Sequence, residues 1–178
     1  SGVLDISGAS DGGYGVGIAG NFSVSQNGTV NIDGRSETSD GVHVLGNFNV
    51  QRTDISASDN AVLNINGTSA SSTGLMLGDW GLGNGLQIAA GDGATIRFAG
   101  SSETGTGFAF TAGNASISDN ASIWIAGQSQ SGMATEVGGG YPSTVSLMVT
   151  DNGSLNVSGN SQTGAGIRRS EEHTSELQ

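Results

Sequence analysis

The chain has no cysteine and no lysine, and it contains one proline and two histidines among 178 residues. Without cysteine it can form neither a disulfide bond nor a thiolate metal site. Sixteen acidic residues stand against five arginines, with no basic cluster. Nucleic-acid binding is therefore not expected, because proteins neutralise phosphate groups with Lys or Arg side chains. No apolar run approaches the ~20 residues of a membrane-spanning helix, so no membrane span is expected.

Small and polar residues dominate instead. Glycine accounts for 32 residues, more than double its average share of about 7%. A composition this polar can indicate disorder, because a disordered chain cannot bury enough apolar surface to offset its conformational entropy. Hydrophobic residues still make up 34%, however, and they recur in short alternating runs. This patterning predicts a folded, repetitive β protein.

A motif of the form apolar-x-apolar-x-Gly recurs six times, with starts near residues 4, 30, 63, 96, 123 and 155. Successive starts are 26, 33, 33, 27 and 32 residues apart, a period typical of solenoid proteins. The copies are LDISG, VNIDG, LNING, IRFAG, IWIAG and LNVSG.

Two further elements accompany each copy. An apolar residue preceded by glycine follows twelve residues after five of the six starts: Val16, Val42, Leu75, Phe108 and Ile167. In the fifth copy the nearest equivalent is Gly132-Met133, ten residues on. An alternating segment such as ISASDNAV (55–62) then leads into the next copy. Each unit therefore carries three short strands with a period of two.

Strands this short cannot bury an apolar face alone, so equivalent strands of successive units are expected to stack. We predict an all-β fold, a right-handed parallel β-helix with three short strands per coil and about five coils. The inward pairs on the first sheet would be Leu4/Ile6, Val30/Ile32, Leu63/Ile65, Ile96/Phe98, Ile123/Ile125 and Leu155/Val157. The outward residues between them would be Asp5, Asn31, Asn64, Arg97, Trp124 and Asn156.

Glycine and asparagine recur at two fixed places in the unit. The glycines at 8, 34, 67, 100, 127 and 159 are expected to end the first strand in a sharp turn that requires positive φ. The asparagines at 27, 60, 120 and 152 are expected in left-handed turn positions, with their side chains forming a hydrogen-bonded ladder.

The repeat pattern covers residues 1–168, which we assign to one β-helix fragment. Residues 169–178 (RSEEHTSELQ) break the pattern. They resemble the translated read-through of a sequencing-library adapter, and we expect them to be an artefactual tail with no part in the fold.

The run NINGTSASSTGLMLG (64–78), together with DGRSETSDGVHVLG (33–46) and SGNSQTGAGI (158–167), resembles the recurring units of filamentous haemagglutinin-like exoproteins and autotransporter passenger domains. The resemblance spans residues 3–168. It implies a bacterial type V secreted protein, located at the cell surface and associated with the outer membrane. The implied function is an elongated adhesin stalk whose partners are glycans or proteins of host or bacterial surfaces. Two-partner secretion and autotransport both remain open.

Little in the sequence points to catalysis. His43 is the one histidine outside the tail, and we expect it on the outer surface of a second strand, beside Met76. Stacked coils could pair Asp59 with Asp92, or Asp119 with Asp151, but turn chemistry explains these acids. We therefore expect no enzyme activity, no catalytic residue, no cofactor and no metal site. The alternative is a polysaccharide-binding or polysaccharide-cleaving β-helix, similar to a depolymerase or tailspike.

The interval between the second and third strands varies most in length. It is longest where NFNVQRTD (47–54), DWGLGNG (79–85) and GGGYPST (138–144) are inserted. Solenoids often place insertions on one binding face. Each insertion carries one aromatic residue, so Phe48, Trp80 and Tyr141 are the candidate ligand contacts.

Seven Asn-x-Ser/Thr sequons are potential glycosylation sites in a secreted protein. Chance and turn preference also generate them in a repeat rich in these residues. They begin at Asn21, Asn27, Asn66, Asn114, Asn120, Asn152 and Asn156.

Overall fold

The computed structural model describes residues 2–45, 53–78, 86–138 and 144–169. Within these ranges the chain forms strands and turns, with no helix. The strands assemble into three parallel sheets, and each sheet receives one strand from every coil in order along the stack. The protein is a parallel β-helix of about five coils with three strands each, as the repeat predicted.

The strands are numbered in chain order. The first sheet consists of β1 (Val3–Ser10), β4 (Thr29–Ser36), β7 (Val62–Ser69), β10 (Thr95–Ser102), β13 (Ser122–Ser129) and β16 (Ser154–Ser161). The second sheet consists of β2 (Val16–Ile18), β5 (Val42–Val44), β8 (Leu75–Leu77), β11 (Phe108–Phe110), β14 (Thr135–Val137) and β17 (Ile167–Arg169). The third sheet consists of β3 (Phe22–Val24), β6 (Thr53–Ala57), β9 (Leu86–Ala90), β12 (Gly113–Ile117) and β15 (Val145–Val149).

The coils stack without a shift in register on the first sheet. Leu63 of β7 pairs with Val30 on one side and with Ile96 on the other. The series continues from Ile96 to Ile123 and Leu155, so all the repeat starts fall in one row. The residues that make some repeats longer than others therefore lie in the segments that connect one sheet to the next.

The core lies inside the coil and is filled by aliphatic and phenylalanine side chains from all three sheets. On the first sheet the predicted inward residues of the middle coils are at most 6% exposed, including Ile65 at 0%. Phe98 meets Phe108 of the second sheet at a ring-centroid distance of 6.2 Å. Each such buried side chain contributes about 1.5–3 kcal/mol relative to an exposed one. The inward and outward assignment of the first sheet is confirmed.

The second strand of the fifth coil is not where the sequence pattern placed it. Thr135, not Met133, pairs with Phe108 and Ile167. The step of twelve residues from Ile123 is therefore kept. The apolar pattern missed Thr135 because it is polar, but its hydroxyl donates a hydrogen bond to the carbonyl of Ser158 at 2.6 Å, which permits its complete burial.

The row of glycines that was expected to end the first strand lies inside it. Gly34 pairs with Gly8 and Gly67 within the ladder, and none of these residues has positive φ. A Cβ at Gly34 would lie 2.1 Å from the carbonyl oxygen of Gly41, and at Gly67 it would lie 1.9 Å from that of Gly74. Glycine is required because two backbone segments touch there, so the turn interpretation is wrong.

A row of serines two residues beyond these glycines closes the corner between the first and second sheets. The Ser69 hydroxyl donates to the carbonyl of Ser39 in the preceding coil at 2.7 Å and accepts from the N–H of Ser72 at 2.9 Å. Both bonds also form, with other partner residues, at Ser36, Ser102, Ser129 and Ser161. The sequence signal is Gly-x-Ser, which occurs in all six repeats.

The turn before each first-sheet strand is held by its backbone. Asp59 and Asn60 have φ of 54° and 57°, and the N–H of Ala61 bonds to the carbonyl of Ser58 at 3.0 Å, as in a type I′ turn. The N–H of Asn60 bonds to the carbonyl of Asp92 in the next coil at 2.9 Å. The left-handed conformation was predicted correctly. The side-chain ladder was not: within the described residues, the turn asparagines make no bond to one another through their side chains.

Arg169 was assigned to the tail from the sequence. In the structure it is the last residue of β17 and pairs with Val137. The remaining tail residues, 170–178, lie outside the described ranges.

Replacing Gly67 by alanine should lower the free energy of unfolding by about 3 kcal/mol or more, because the new Cβ meets a backbone oxygen that no side-chain rotation can move. Gly12→Ala is the matched control, since a Cβ there has nothing within 4 Å. It should change stability by less than about 1 kcal/mol. Chemical denaturation measures both, and equal effects would contradict the close approach.

Ser69→Ala should cost about 1–3 kcal/mol, because it leaves the partly buried N–H of Ser72 and the partly buried carbonyl of Ser39 without their hydrogen bonds. Thr68→Ala, one residue away on the exposed side of β7, should stay within about 0.5 kcal/mol. The two variants are compared by the midpoints of their urea denaturation curves, which report stability when the dependence of the unfolding free energy on urea is unchanged. A Ser69→Ala variant as stable as the control would show that the serine row does not hold the corner.

Candidate binding face

His43 is buried, with 6% of its surface exposed, so the expectation of a surface histidine is wrong. Its predicted neighbour is correct, since it pairs with Met76 across β5 and β8. Alternation places His43 on the outer face of the second sheet, but Met76, Ala109 and Glu136 of the same row are buried as well. Sequence alternation identifies the face of a strand but not whether that face is covered.

Asp40 and Tyr14 define the surroundings of His43. Nδ1 of His43 lies 2.9 Å from Oδ2 of Asp40, and the Tyr14 ring is tilted against the imidazole at a centroid distance of 4.5 Å. The hydroxyl of Ser72 donates to Oδ1 of Asp40 at 2.7 Å, and the N–H of Thr73 donates to the same oxygen at 3.1 Å. Ser72 thus bonds to the carboxylate and not to the imidazole, which is not the arrangement of a serine nucleophile with its base.

Burial raises the pKa of Asp40, but the hydrogen bonds from His43, Ser72 and Thr73 and the charge of His43 outweigh it, so the pKa is lowered below the ordinary value of 3.8. Asp40 is therefore a carboxylate held in its ionised form by several donors. This cluster cross-links adjacent coils.

The acids that could have formed carboxylate pairs are exposed turn residues. Asp59, Asp92, Asp119 and Asp151 have φ between 47° and 54°, and the hydroxyl of Ser118 donates to Asp119 at 2.8 Å. In the described ranges no group of three or more His, Asp and Glu side chains is arranged to hold a metal ion.

The outer face of the first sheet carries amide, carboxylate, guanidinium and indole side chains. A groove of about 410 Å³ runs across four coils, and we call it the outer groove. It includes four residues of the row that the sequence predicted to face outward, namely Asn31, Asn64, Arg97 and Trp124. Its lining consists of Asn31, Asp33, Asn64, Asn66, Arg97, Phe98, Ala99, Trp124 and Ala126.

Amide side chains form a ladder at one end of the outer groove. Nδ2 of Asn64 donates to Oδ1 of Asn31 at 2.8 Å, and Nδ2 of Asn31 donates to Asp5 at 2.7 Å. In the next row, Nδ2 of Asn66 donates to Asp33 at 2.8 Å. The asparagine ladder expected at the turns occurs here, on the face of the sheet.

The ladder stops where the side-chain type changes. Arg97 follows Asn64 in the row and Trp124 follows Arg97. Trp124 is 48% exposed, and Arg97 is exposed and makes no ion pair with the described residues. Ala99 and Ala126 of the adjacent row also line the groove, and their short side chains leave space beside Arg97 and Trp124. The sequence predicted Asn64, Arg97 and Trp124 to face outward, but it gave no sign that they line one groove.

Phe48, Trp80 and Tyr141, the ligand contacts proposed from the sequence, lie outside the described residues.

The chain matches no protein-family model, no curated protein and no solved structure. In the described ranges, no helix has the length and apolar character needed to cross a membrane.

Asp40→Asn should destabilise the protein by about 1–3 kcal/mol at pH 7, because it removes a buried charged acceptor. The folded-state pKa of Asp40 lies below its unfolded value. Its stabilisation is therefore complete above the unfolded pKa of about 3.9 and is lost as the pH falls through the lowered folded pKa. Denaturation midpoints between pH 2 and 7 should fall less steeply with acidification in Asp40→Asn than in the wild type.

The control is Asp11→Asn, an exposed carboxylate on the first coil. Its acid dependence should match that of the wild type. If Asp40→Asn and Asp11→Asn gave the same profile, the Asp40 cluster would have no part in acid stability.

Proposed function

We propose that this chain is a shaft segment of a secreted bacterial adhesin, displayed at the cell surface and related to filamentous haemagglutinin-like exoproteins or autotransporter passengers. The resemblance of its repeats to those families supports this proposal, as does the β-helix fold that the resemblance implied. The expected partners are glycans or proteins on host or bacterial surfaces.

One observation carries the proposal: in the part of the chain that the structure describes, apolar core side chains are exposed at both ends of the stack. At the first coil Leu4, an inward residue, is 49% exposed. At the other end Leu147, Val149 and Ile167 are 37%, 44% and 53% exposed. Their equivalents in the middle coils, such as Leu63 and Ile117, are almost fully buried. In a solenoid each coil is covered only by its neighbours, so an exposed face of this kind can receive another coil.

Among the described strands, those at the two ends of each sheet have a ladder partner on one side only. An uncovered strand edge is a template for adding another strand. Further coils of the same kind would satisfy both the edge and the core at once, because every coil already pairs in the same register. A longer rod built in this way gains about 4.8 Å per coil, which suits the role of a spacer that carries a binding site away from a cell surface.

The alternative is a polysaccharide-cleaving β-helix. Glycosidases use two carboxyl groups about 5–9.5 Å apart beside the sugar. The turn conformation explains the presence of four of the described acids, Asp59, Asp92, Asp119 and Asp151. Asp40 is held in a buried cluster. These assignments favour the shaft.

The full chain should associate end to end as its concentration rises, because burying two open cores releases water from apolar surface. Sedimentation velocity measures the association, and electron microscopy should show rods one solenoid wide. A Leu4→Asn/Val149→Asn variant should associate at least tenfold more weakly. Both residues are already half exposed, so the variant should keep its β-sheet circular dichroism.

Met148→Asn is the matched control, because Met148 lies on the same terminal strand as Val149 but points outward and is 58% exposed. It should associate as the wild type does. A wild type that stays monomeric, or a control that fails along with the end variant, would count against a shaft built by stacking.

A further inference from the structure

We propose that the outer groove binds a pyranose sugar that carries a carboxylate, as found in acidic glycans. In this site Trp124 stacks on the ring, Arg97 binds the carboxylate, and the side-chain oxygens of Asn64 and Asn66 accept hydrogen bonds from hydroxyl groups. The proposal deepens the adhesin function and rests on it for its biological setting, while the binding itself can be tested separately.

The direction of the amide ladder is fixed by chemistry. An ionised carboxylate can only accept hydrogen bonds, so Asn31 must present its NH2 group to Asp5. The oxygen of Asn31 then accepts from Asn64. Asp33 orients Asn66 in the same way. Both ladders therefore end with an amide oxygen on the side of the fourth coil.

No side chain of the described residues donates to the last oxygen in either row. The next residues are Arg97, which makes no bond to Asn64, and Ala99, which has no donor. Two acceptors of fixed direction consequently face the open groove. Sugar hydroxyl groups are donors that fit them, and an ordered acceptor loses less entropy on binding than a free one.

Arg97 supplies the positive charge. Two other arginines of the described chain are paired with acids: Arg35 lies 3.3 Å from Glu37, and Arg168 pairs with Glu136. Arg97 stands exposed on the sheet and has no such partner among the described residues, in a chain with a net charge of −11. A guanidinium binds a carboxylate through two parallel hydrogen bonds, which makes it selective for that group.

The carboxylate of Asp33 does not cancel this charge. Asp33 lies in the second coil and Arg97 in the fourth, a separation of about 10 Å along the stack. That distance equals the Debye length of about 10 Å at 0.1 M salt, and Asp33 is exposed. An anion at Arg97 is therefore attracted more strongly than it is repelled.

Trp124 provides the apolar surface. Its indole is 48% exposed next to the low floor formed by Ala99 and Ala126. Asn64, Arg97 and Trp124 occupy three successive coils and span about 10 Å, so one sugar ring with its substituents can reach all three. An apolar peptide would fit less well, because it would cover the two amide oxygens without offering donors.

In the test, the full chain is titrated with a trisaccharide of galacturonic acid and, separately, with the matching neutral galactose trisaccharide. Calorimetry measures the binding of each sugar. The acidic sugar should bind more tightly. Trp124→Ala should weaken binding of the acidic sugar roughly tenfold. Arg97→Gln should weaken it more than tenfold while changing the neutral sugar little. Circular dichroism and melting temperature establish that each variant is folded.

Arg35→Gln is the matched control, because Arg35 is an exposed arginine of the same sheet whose charge is already paired with Glu37. It should bind as the wild type does. Equal affinity for the two sugars, loss of binding in the control, or no binding to either sugar would each overturn the proposal. Binding by a chain that never forms rods would support the site and reject the shaft. Release of new reducing ends would identify a cleaving enzyme and overturn an adhesive site.

Discussion

The fold depends on one close approach, where the backbone of each first-sheet strand touches the backbone that enters the second sheet. At Gly34 and Gly67 the space for a side chain is occupied by a carbonyl oxygen, and the serine two residues later bonds the corner to the preceding coil. This contact makes the coil narrow enough for aliphatic pairs to fill it. A wider corner would leave cavities, which cost stability in proportion to their volume.

Repetition explains how much the sequence could predict. The spacing of the six motifs predicted the sheets, their register and the inward row that contains Ile65, because each strand alternates and each coil repeats the last. The glycine row was found but given the wrong cause, since a pattern cannot distinguish a residue that needs positive φ from one that has no room for Cβ. The Gly-x-Ser signal was present in every repeat, but its meaning lies in contacts between coils.

The functional face was predictable only in part. Trp124 and Arg97 were placed outward correctly, yet their grouping with Asn64 depends on which coil each belongs to and on the small residues beside them. The burial of His43 was missed, although its strand face and its neighbour Met76 were predicted correctly, because cover over an outer face comes from other parts of the chain. The position of Thr135 was missed for a similar reason, because the acceptor of its hydroxyl, the carbonyl of Ser158, lies in the following coil.

The serine row gives the molecule a direction. Each serine hydroxyl donates to the coil before it, as Ser102 does to Ser72, so every coil supplies acceptors that only the next coil uses. A ribosome delivers the chain from its N-terminus. A finished coil thus offers serine acceptors to the emerging one, while bonds such as that from the N–H of Asn60 to the carbonyl of Asp92 form only when the next coil is in place. The serine hydroxyls therefore give the stack a polarity, since each corner is joined by its serine to the coil that the ribosome delivers first.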